Sequence, residues 1–186
     1  SNMKLVDYCS DKRIKVGAEV KIIKSDNGTK ANLCATVGVR NIPGVLLSGH
    51  TDVVPIEGQS WTVPAFEMTN KDNKLYGRGT ADMKSFLACA LHTALKASHM
   101  NLTTPLHLAL SYDEEIGCVG VRSMIEMLKK APFVPLFCIV GEPTLMQIAT
   151  EHKGKVNVSV KLKGKEAHSA FSTSGLNAIY LASEMI

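Results

Sequence analysis

The chain has 186 residues, 45% of them hydrophobic and 20% charged, a composition typical of a globular protein rather than a disordered one. Its net charge of +4 arises from basic residues scattered along the sequence, which does not indicate a nucleic-acid-binding protein. No apolar run is long enough to cross a membrane, and the first residues do not resemble a signal peptide, so we expect a cytoplasmic protein that does not bind membranes.

The N-terminal part of the chain predicts a helix followed by a hairpin. Apolar side chains at helical spacing indicate a short helix over residues 3–13, which Gly17 would end. Two strands at 19–24 and 31–37 then flank residues 25–30, a segment rich in turn-forming side chains. That arrangement is typical of a β-hairpin.

Apolar strands and helices alternate along the middle of the chain. The strands are predicted at 45–47, 106–111 and 137–140, with one helix over 86–95 and another within 117–130. Each strand is a continuous apolar run, which is typical of strands covered on both faces. The alternation predicts an α/β fold with a mostly parallel mixed sheet and flanking helices.

The pattern changes near residue 152. Apolar and polar residues alternate over 155–162, which predicts a strand with one wet face, and helical spacing over 176–186 ends without a stop signal. We therefore expect one domain over 1–151 and the beginning of a second, α+β domain over 152–186. We also expect the sequence to be a portion of a longer protein.

Histidine or acidic side chains follow each of the three predicted parallel strands. One further acidic side chain precedes the helix that comes after the first of these strands. They are His50, Asp52, Asp82, Glu114, Glu115 and Glu142. The carboxyl ends of parallel strands share one edge of a sheet, so we expect these residues to converge there. Each motif alone is more typical of a solvated loop or a turn than of a site, and only their combination indicates a site.

Carboxylates gathered in this way repel one another unless cations neutralise them, and no arginine cluster is near in the sequence. If Asp82 bridges two divalent ions, with Glu115 on one ion and Glu142 on the other, a shared hydroxide balances the charge. His50 is an ordinary Zn²⁺ ligand. Adjacent side chains on an extended chain point apart, so one of Glu114 and Glu115 binds an ion and the other is free to move protons.

The five cysteines are odd in number and include no Cys-x-x-Cys pair. Four of them lie in apolar runs. This pattern predicts buried, unpaired thiols in a reducing compartment.

Four segments resemble motifs of the M20 metallopeptidase family and occur in that family's order. They are SGHTDVVP at 48–55, GRGTADMK at 77–84, DEE at 113–115 and GEPT at 141–144. The resemblance implies a zinc-aminopeptidase-like catalytic domain over 1–151. It also implies that residues 152–186 begin an inserted lid and dimerisation domain, so that the full-length protein forms a homodimer.

The resemblance also implies the metal ligands. His50, Asp82 and Glu142 would hold one Zn²⁺, and Asp82 and Glu115 the second, with Co²⁺ or Mn²⁺ as alternatives because oxygen-rich sites accept them. The peptide bond after Asp82 is expected to be cis.

Three further residues receive roles from the resemblance. Glu114 would be the general base and acid, and Asp52 would orient His50. His168 would be the lid histidine that reaches the partner subunit's active site and helps to bind the oxyanion.

Residues 28–32, Trp61, 80–84 and 152–154 most resemble members that remove the acetyl group from N²-acetyl-L-ornithine in arginine biosynthesis. The alternatives are a relative acting on another N-acyl amino acid, such as a succinyl-diaminopimelate desuccinylase or an aminoacylase, a catalytically inactive metal-binding module, or a purely structural protein. Family members carry a further histidine ligand and a substrate-binding arginine, which would follow Ile186. The chain alone is therefore expected to bind metal but to have little activity.

Overall fold

A computed structural model describes residues 1–12 and 18–186 of the chain. The chain forms two compact units, residues 1–147 and 148–186, whereas the domain boundary predicted from the sequence lies at 151–152. The helix stop predicted at Gly17 lies outside the described residues. Across the described ranges, no helix combines the length and the apolar character that crossing a membrane requires.

The first unit is built on a five-stranded mixed sheet with the order β1-β2-β6-β3-β7. Its strands are β1 (Ala18–Lys24), β2 (Ala31–Val37), β3 (Val45–His50), β6 (Leu106–Ser111) and β7 (Phe137–Val140). β3 runs parallel to β6 and β7, whereas β1 and β2 form an antiparallel hairpin that joins the sheet through β6. Two short strands, β4 (Thr69–Lys71) and β5 (Lys74–Tyr76), form a separate hairpin. The predicted α/β fold and its mixed sheet are confirmed.

Three helices cover this sheet. They are α1 (Met3–Lys12), α2 (Ser85–Ala97) and α3 (Val121–Leu128). The larger core brings α1 and α2 onto one face of β2 and β6, with Leu33, Leu87 and Leu108 almost fully buried. The other face carries a smaller core around Met124 of α3. Alternate residues of β2 and β6 face these two cores, as the pleat of a strand requires.

β7 departs from the burial expected of it. Phe137, Ile139 and Val140 are 54%, 44% and 57% exposed. β7 is the last strand of the sheet and pairs only with β3 among the described residues, and these exposed fractions show that its apolar run is not covered on both faces. The run correctly predicted a strand, but the prediction of a buried strand is wrong.

The second unit contains a short 3₁₀-helix (Ser169–Ser174) and the helix α4 (Ala178–Ser183). An isolated antiparallel bridge joins Lys165 and Leu176. The strand predicted over 155–162 is not formed, and Val156 and Val158 are 86% and 78% exposed. A strand requires a neighbour to accept its hydrogen bonds, and no described strand pairs with this segment.

All five cysteines are free, as predicted. Cys9 and Cys34 are buried, and burial raises the pKa of their thiols to about 11 and about 12. The other three are exposed, so the prediction that the thiols are buried is wrong for Cys89, Cys118 and Cys138.

Candidate metal centre

The ends of three parallel strands bring histidine and acidic residues to one edge of the sheet. β3 ends at His50, β6 leads into the segment with Glu114 and Glu115, and β7 leads to Glu142. Asp82 lies in the helical turn Thr80–Lys84, directly before α2.

His50 is the buried centre of this group, with 2% of its side chain exposed. Its Nδ1 lies 3.1 Å from the backbone oxygen of Asp52 and 3.4 Å from Asp52 Oδ1. Its Nε2 lies 3.0 Å from Asp82 Oδ1, 3.8 Å from Glu142 Oε1 and 3.9 Å from Glu114 Oε2. One ring nitrogen therefore faces Asp52, and the other faces three carboxylates.

His50, Asp82 and Glu142 each offer one ligand atom, and these atoms all lie within 4.8 Å of one another. One imidazole and two carboxylates are an ordinary donor set for a divalent cation such as Zn²⁺. The two carboxylates are 48% and 38% exposed, so the group is open to solvent on the carboxylate side. The residues present fit a metal ion at this point.

The carboxylates of this site disfavour one another's ionised form. Partial burial, followed by the negative charge of Asp82, raises the pKa of Glu142, and the same two causes raise the pKa of Glu115. A cation would remove both repulsions, because opposite charge favours the ionised carboxylate. The electrostatics thus favour a cation where the geometry has room for one.

His50 and Asp52 form an ion pair in the metal-free chain. Burial opposes the charged imidazole, but hydrogen bonds to Asp52 and Asp82 outweigh it and raise the pKa of His50 to about 9. Burial also opposes ionisation of Asp52, but hydrogen bonds from His50 and from the backbone of Glu115 and Glu114 lower its pKa to about 2. A metal ion on Nε2 requires the neutral ring, so binding would release this proton.

Asp52 also connects β3 to the acidic segment after β6. Its Oδ1 accepts a hydrogen bond from the backbone N–H of Glu114 at 3.2 Å, and its Oδ2 accepts one from the N–H of Glu115 at 3.0 Å. The same carboxylate thus contacts His50 and fixes the backbone of both glutamates.

The two adjacent glutamates have different surroundings. Glu114 Oε1 lies 3.4 Å from the thiol of Cys118, which donates to it. Glu115 interacts electrostatically with Asp82. Across the described residues, Glu115 is not part of a group of three ligands, so its role at a second ion stays a prediction.

The turn that carries Asp82 packs against the end of β3. The Asp82–Met83 peptide bond is cis, as the resemblance implied. Met83 is fully buried, and its sulfur accepts a hydrogen bond from the backbone N–H of His50 at 3.3 Å. Lys84 donates to the backbone oxygen of Thr51. The sequence analysis did not predict these contacts of Met83 and Lys84, although both residues belong to the motif at 77–84.

His168 lies in the second unit, directly before the 3₁₀-helix Ser169–Ser174. Its Nδ1 accepts a hydrogen bond from the backbone N–H of Ala170 at 3.2 Å and so caps that helix. Its ring is 6.3 Å from that of Phe171.

Comparisons with known proteins show which family the chain is similar to. The family model described as peptidase family M20/M25/M40 matches residues 46–182. An acetylornithine deacetylase of Vibrio campbellii (strain ATCC BAA-1116) is 36% identical over 185 residues, covering 100% of this chain and 48% of the relative. One of Pasteurella multocida (strain Pm70) is also 36% identical over 185 residues, covering 99% and 47%. The chain spans about half the length of the curated relatives it matches.

Solved structures share the fold. An M20 family metallo-carboxypeptidase of Sulfolobus solfataricus, Sso-CP2, superposes with a TM-score of 0.63 at 24% identity, covering 75% of this chain and 32% of that one. A tripeptidase of Staphylococcus aureus gives a TM-score of 0.62 at 20% identity, covering 97% and 48%. Human carnosine dipeptidase 1 gives 0.61 at 23% identity, covering 74% and 32%.

Proposed function

Because this chain belongs to peptidase family M20/M25/M40, we propose that the protein is a metal-dependent amidohydrolase acting on N²-acetyl-L-ornithine. It would release acetate and L-ornithine in the cytoplasm as a step of arginine biosynthesis. The observation that carries this proposal is the group formed by His50, Asp82 and Glu142. The match of the whole chain to deacetylases at 36% identity supports the choice of substrate.

The proposed metal ligands are the three grouped residues together with Glu115. His50, Asp82 and Glu142 would hold one Zn²⁺, and Asp82 and Glu115 would hold a second. When bound, divalent cations supply a water whose pKa is low enough for it to act as a nucleophile near neutral pH. Asp52 would keep the His50 ring in the orientation that points Nε2 at the ligand group.

Glu114 is the proposed proton carrier. Its carboxylate lies next to the ligand group, 3.9 Å from His50 Nε2, but is not one of the three grouped ligands. It would accept a proton from the attacking water and donate it to the amide nitrogen as the carbon–nitrogen bond breaks. The backbone N–H of Glu114, bound to Asp52, holds the residue in place for both transfers.

The second unit would contribute to the reaction through His168. We propose that the protein forms a homodimer in which this imidazole donates a hydrogen bond to the developing oxyanion in the partner subunit. The His168→Ala variant of the full-length protein is then expected to lose kcat while its metal content stays unchanged.

A substrate panel tests the proposal. The full-length protein, loaded with Zn²⁺, would be assayed with N²-acetyl-L-ornithine, N-succinyl-L,L-diaminopimelate and N-acetyl-L-methionine. We expect kcat/KM to be highest for acetylornithine by about tenfold or more, the factor that 1.4 kcal/mol of differential binding produces. Preference for the succinyl substrate or for acetylmethionine would instead favour one of the other deacylases. Stoichiometric metal binding without hydrolysis would favour the metal-binding module.

A further inference from the structure

The segment of residues 113–120 connects β6 to α3 and carries Glu114 and Glu115; we call it the acidic loop. It is a compact turn in which Gly117 and Cys118 donate to the backbone oxygen of Glu114, at 2.8 and 2.9 Å. These bonds fix the loop's own shape but do not attach it to the sheet. Its position relative to His50 must therefore come from other segments.

Lys30 attaches the first residue of the acidic loop. Its Nζ lies 2.6 and 2.7 Å from the two carboxylate oxygens of Asp113, a residue 83 positions away. The Asp113 side chain is only 17% exposed, so solvent screens this pair less than it screens an ordinary surface pair. Lys30 is itself fixed, because its backbone N–H donates to Ser25 Oγ and its backbone oxygen accepts from Ser25 N–H.

Asn32 attaches the last residue of the same loop. Its side chain is fully buried, and Nδ2 donates to the backbone oxygen of Gly120 at 2.8 Å and to Ser123 Oγ at 3.1 Å. An apolar residue would be ordinary at a buried strand position, whereas a buried amide is unfavourable unless it is hydrogen-bonded. Asn32 Oδ1 is buried without a hydrogen-bond partner among the described residues, so the contacts of this amide are the two bonds that Nδ2 makes at the junction between the loop and α3.

We propose that Lys30 and Asn32 are positioning residues that hold the two ends of the acidic loop, so that Glu114 faces His50. Lys30 lies directly before β2 and Asn32 lies within it, while Asp52, just after β3, accepts hydrogen bonds from the backbone of Glu114 and Glu115. Neither Lys30 nor Asn32 touches the ligand group, so each acts only through the loop. The consequence for catalysis rests on the proposed function, whereas the effect on loop order does not.

Amide hydrogen exchange tests the effect on the loop directly. The variants are Lys30→Met, which removes the ion pair, Lys30→Arg, which keeps it, and Asn32→Leu, which keeps the buried volume. Lys129→Met is the matched control, because Lys129 forms a 2.7 Å ion pair with Glu126 outside the acidic loop. Exchange would be followed by mass spectrometry in peptides covering 113–120, β2 and β6.

In Lys30→Met and Asn32→Leu we expect exchange over 113–120 to be faster by about tenfold or more, with β2 and β6 unchanged. Lys30→Arg and Lys129→Met should exchange as the unchanged chain does. Unchanged exchange over 113–120 would overturn the proposal. Equal acceleration in all three peptides would also overturn it, because that result indicates a general loss of stability.

Kinetics on the full-length protein test the consequence for catalysis. Lys30→Met should lower kcat by about 10- to 100-fold with little change in KM or metal content, and Lys30→Arg should restore most of it. A normal kcat in a variant with a loosened loop would overturn the catalytic part of the proposal. If the unchanged protein hydrolyses no N-acyl amino acid but the exchange result holds, the proposed function fails and the loop attachment stands.

Discussion

The two sides of the candidate metal centre are held to different degrees. On the β6 side, the acidic loop with Glu114 is attached by Lys30 and Asn32, at the start of β2, and by Asp52, just after β3. These two strands flank β6 in the sheet. On the β7 side, Glu142 follows an edge strand of four residues whose apolar side chains are largely exposed.

The β7 side nevertheless has one tight contact. Gly141 lies so close to the ring of Phe86 that a Cβ added there would be 2.0 Å from it, and its N–H donates to the backbone oxygen of Ser48 at 3.3 Å. The position of Glu142 therefore depends on the packing of Gly141 against Phe86 and on one backbone hydrogen bond to β3. The position of Glu114 depends on side-chain contacts at both ends of its loop. We infer that Glu114, the proposed proton carrier, is ordered by the protein, whereas Glu142, a proposed ligand, would gain order from a bound cation.

The largest expected effect tests whether the β6 side carries the proton-transfer residue and the β7 side a metal ligand. Glu114→Gln in the full-length protein should lower kcat by about 10³-fold or more while metal content persists, because only proton transfer is removed. Glu142→Gln should instead weaken metal binding. Loss of metal in Glu114→Gln would show that Glu114 is a ligand and that the two sides do not differ in role.

Asp82 is the proposed ligand of both ions, and its removal should have the next largest effect. Its Oδ1 is 3.0 Å from His50 Nε2, and the proposed second ion would share its carboxylate. Asp82→Ala should weaken Zn²⁺ binding by about 100-fold or more, measured by calorimetric titration. Glu67→Ala, which removes an exposed carboxylate from another loop, is the control and should titrate normally. A variant that still binds one ion tightly would exclude a shared role for Asp82.

The sequence predicted that the site residues meet at one edge of the sheet, but it did not predict the contacts that hold their loops in place. Strand ends share an edge in a parallel sheet, so His50 and Glu142 could be placed together from two apolar runs alone. The pairing of Lys30 with Asp113 crosses 83 residues, and no local pattern indicates which carboxylate a lysine meets. The strand sequences also could not show that β7 is exposed or that 155–162 pairs with no described strand, because periodicity reports which faces are apolar but not which neighbours are present.

The difference between the centre and the edge of the sheet should appear in stability. Leu108 is 1% exposed in β6, so Leu108→Ala should lower the free energy of unfolding by about 2–5 kcal/mol. Ile139 is 44% exposed in β7, and Ile139→Ala should cost about 1 kcal/mol or less. Urea unfolding of the metal-free chain measures both. Equal losses would mean that β7 is as tightly packed as β6.

The smallest expected effect concerns pH and the pair formed by His50 and Asp52 in the metal-free chain. The pKa of Asp52 is lowered from its ordinary 3.8 to about 2, so its stabilisation is complete above about pH 4 and is lost as the pH falls towards 2. The pKa of His50 is raised from 6.5 to about 9, so its stabilisation is complete below about pH 6.5 and is lost as the pH rises through 9.

The pair should therefore stabilise the metal-free chain most between about pH 4 and 6.5. We expect a contribution of about 1–2 kcal/mol, less than the full shift in the pKa of Asp52 implies, because a fifth of the Asp52 side chain is exposed. Urea unfolding of the chain and of Asp52→Asn from about pH 2 to pH 9, with a chelator present, measures the difference. The difference should narrow below about pH 4 and above about pH 6.5, and a difference that is constant from about pH 2 to 9 would show that the pair is not ionised. Zn²⁺ should reverse the trend on the alkaline side, because its binding requires neutral His50 and strengthens as that proton leaves.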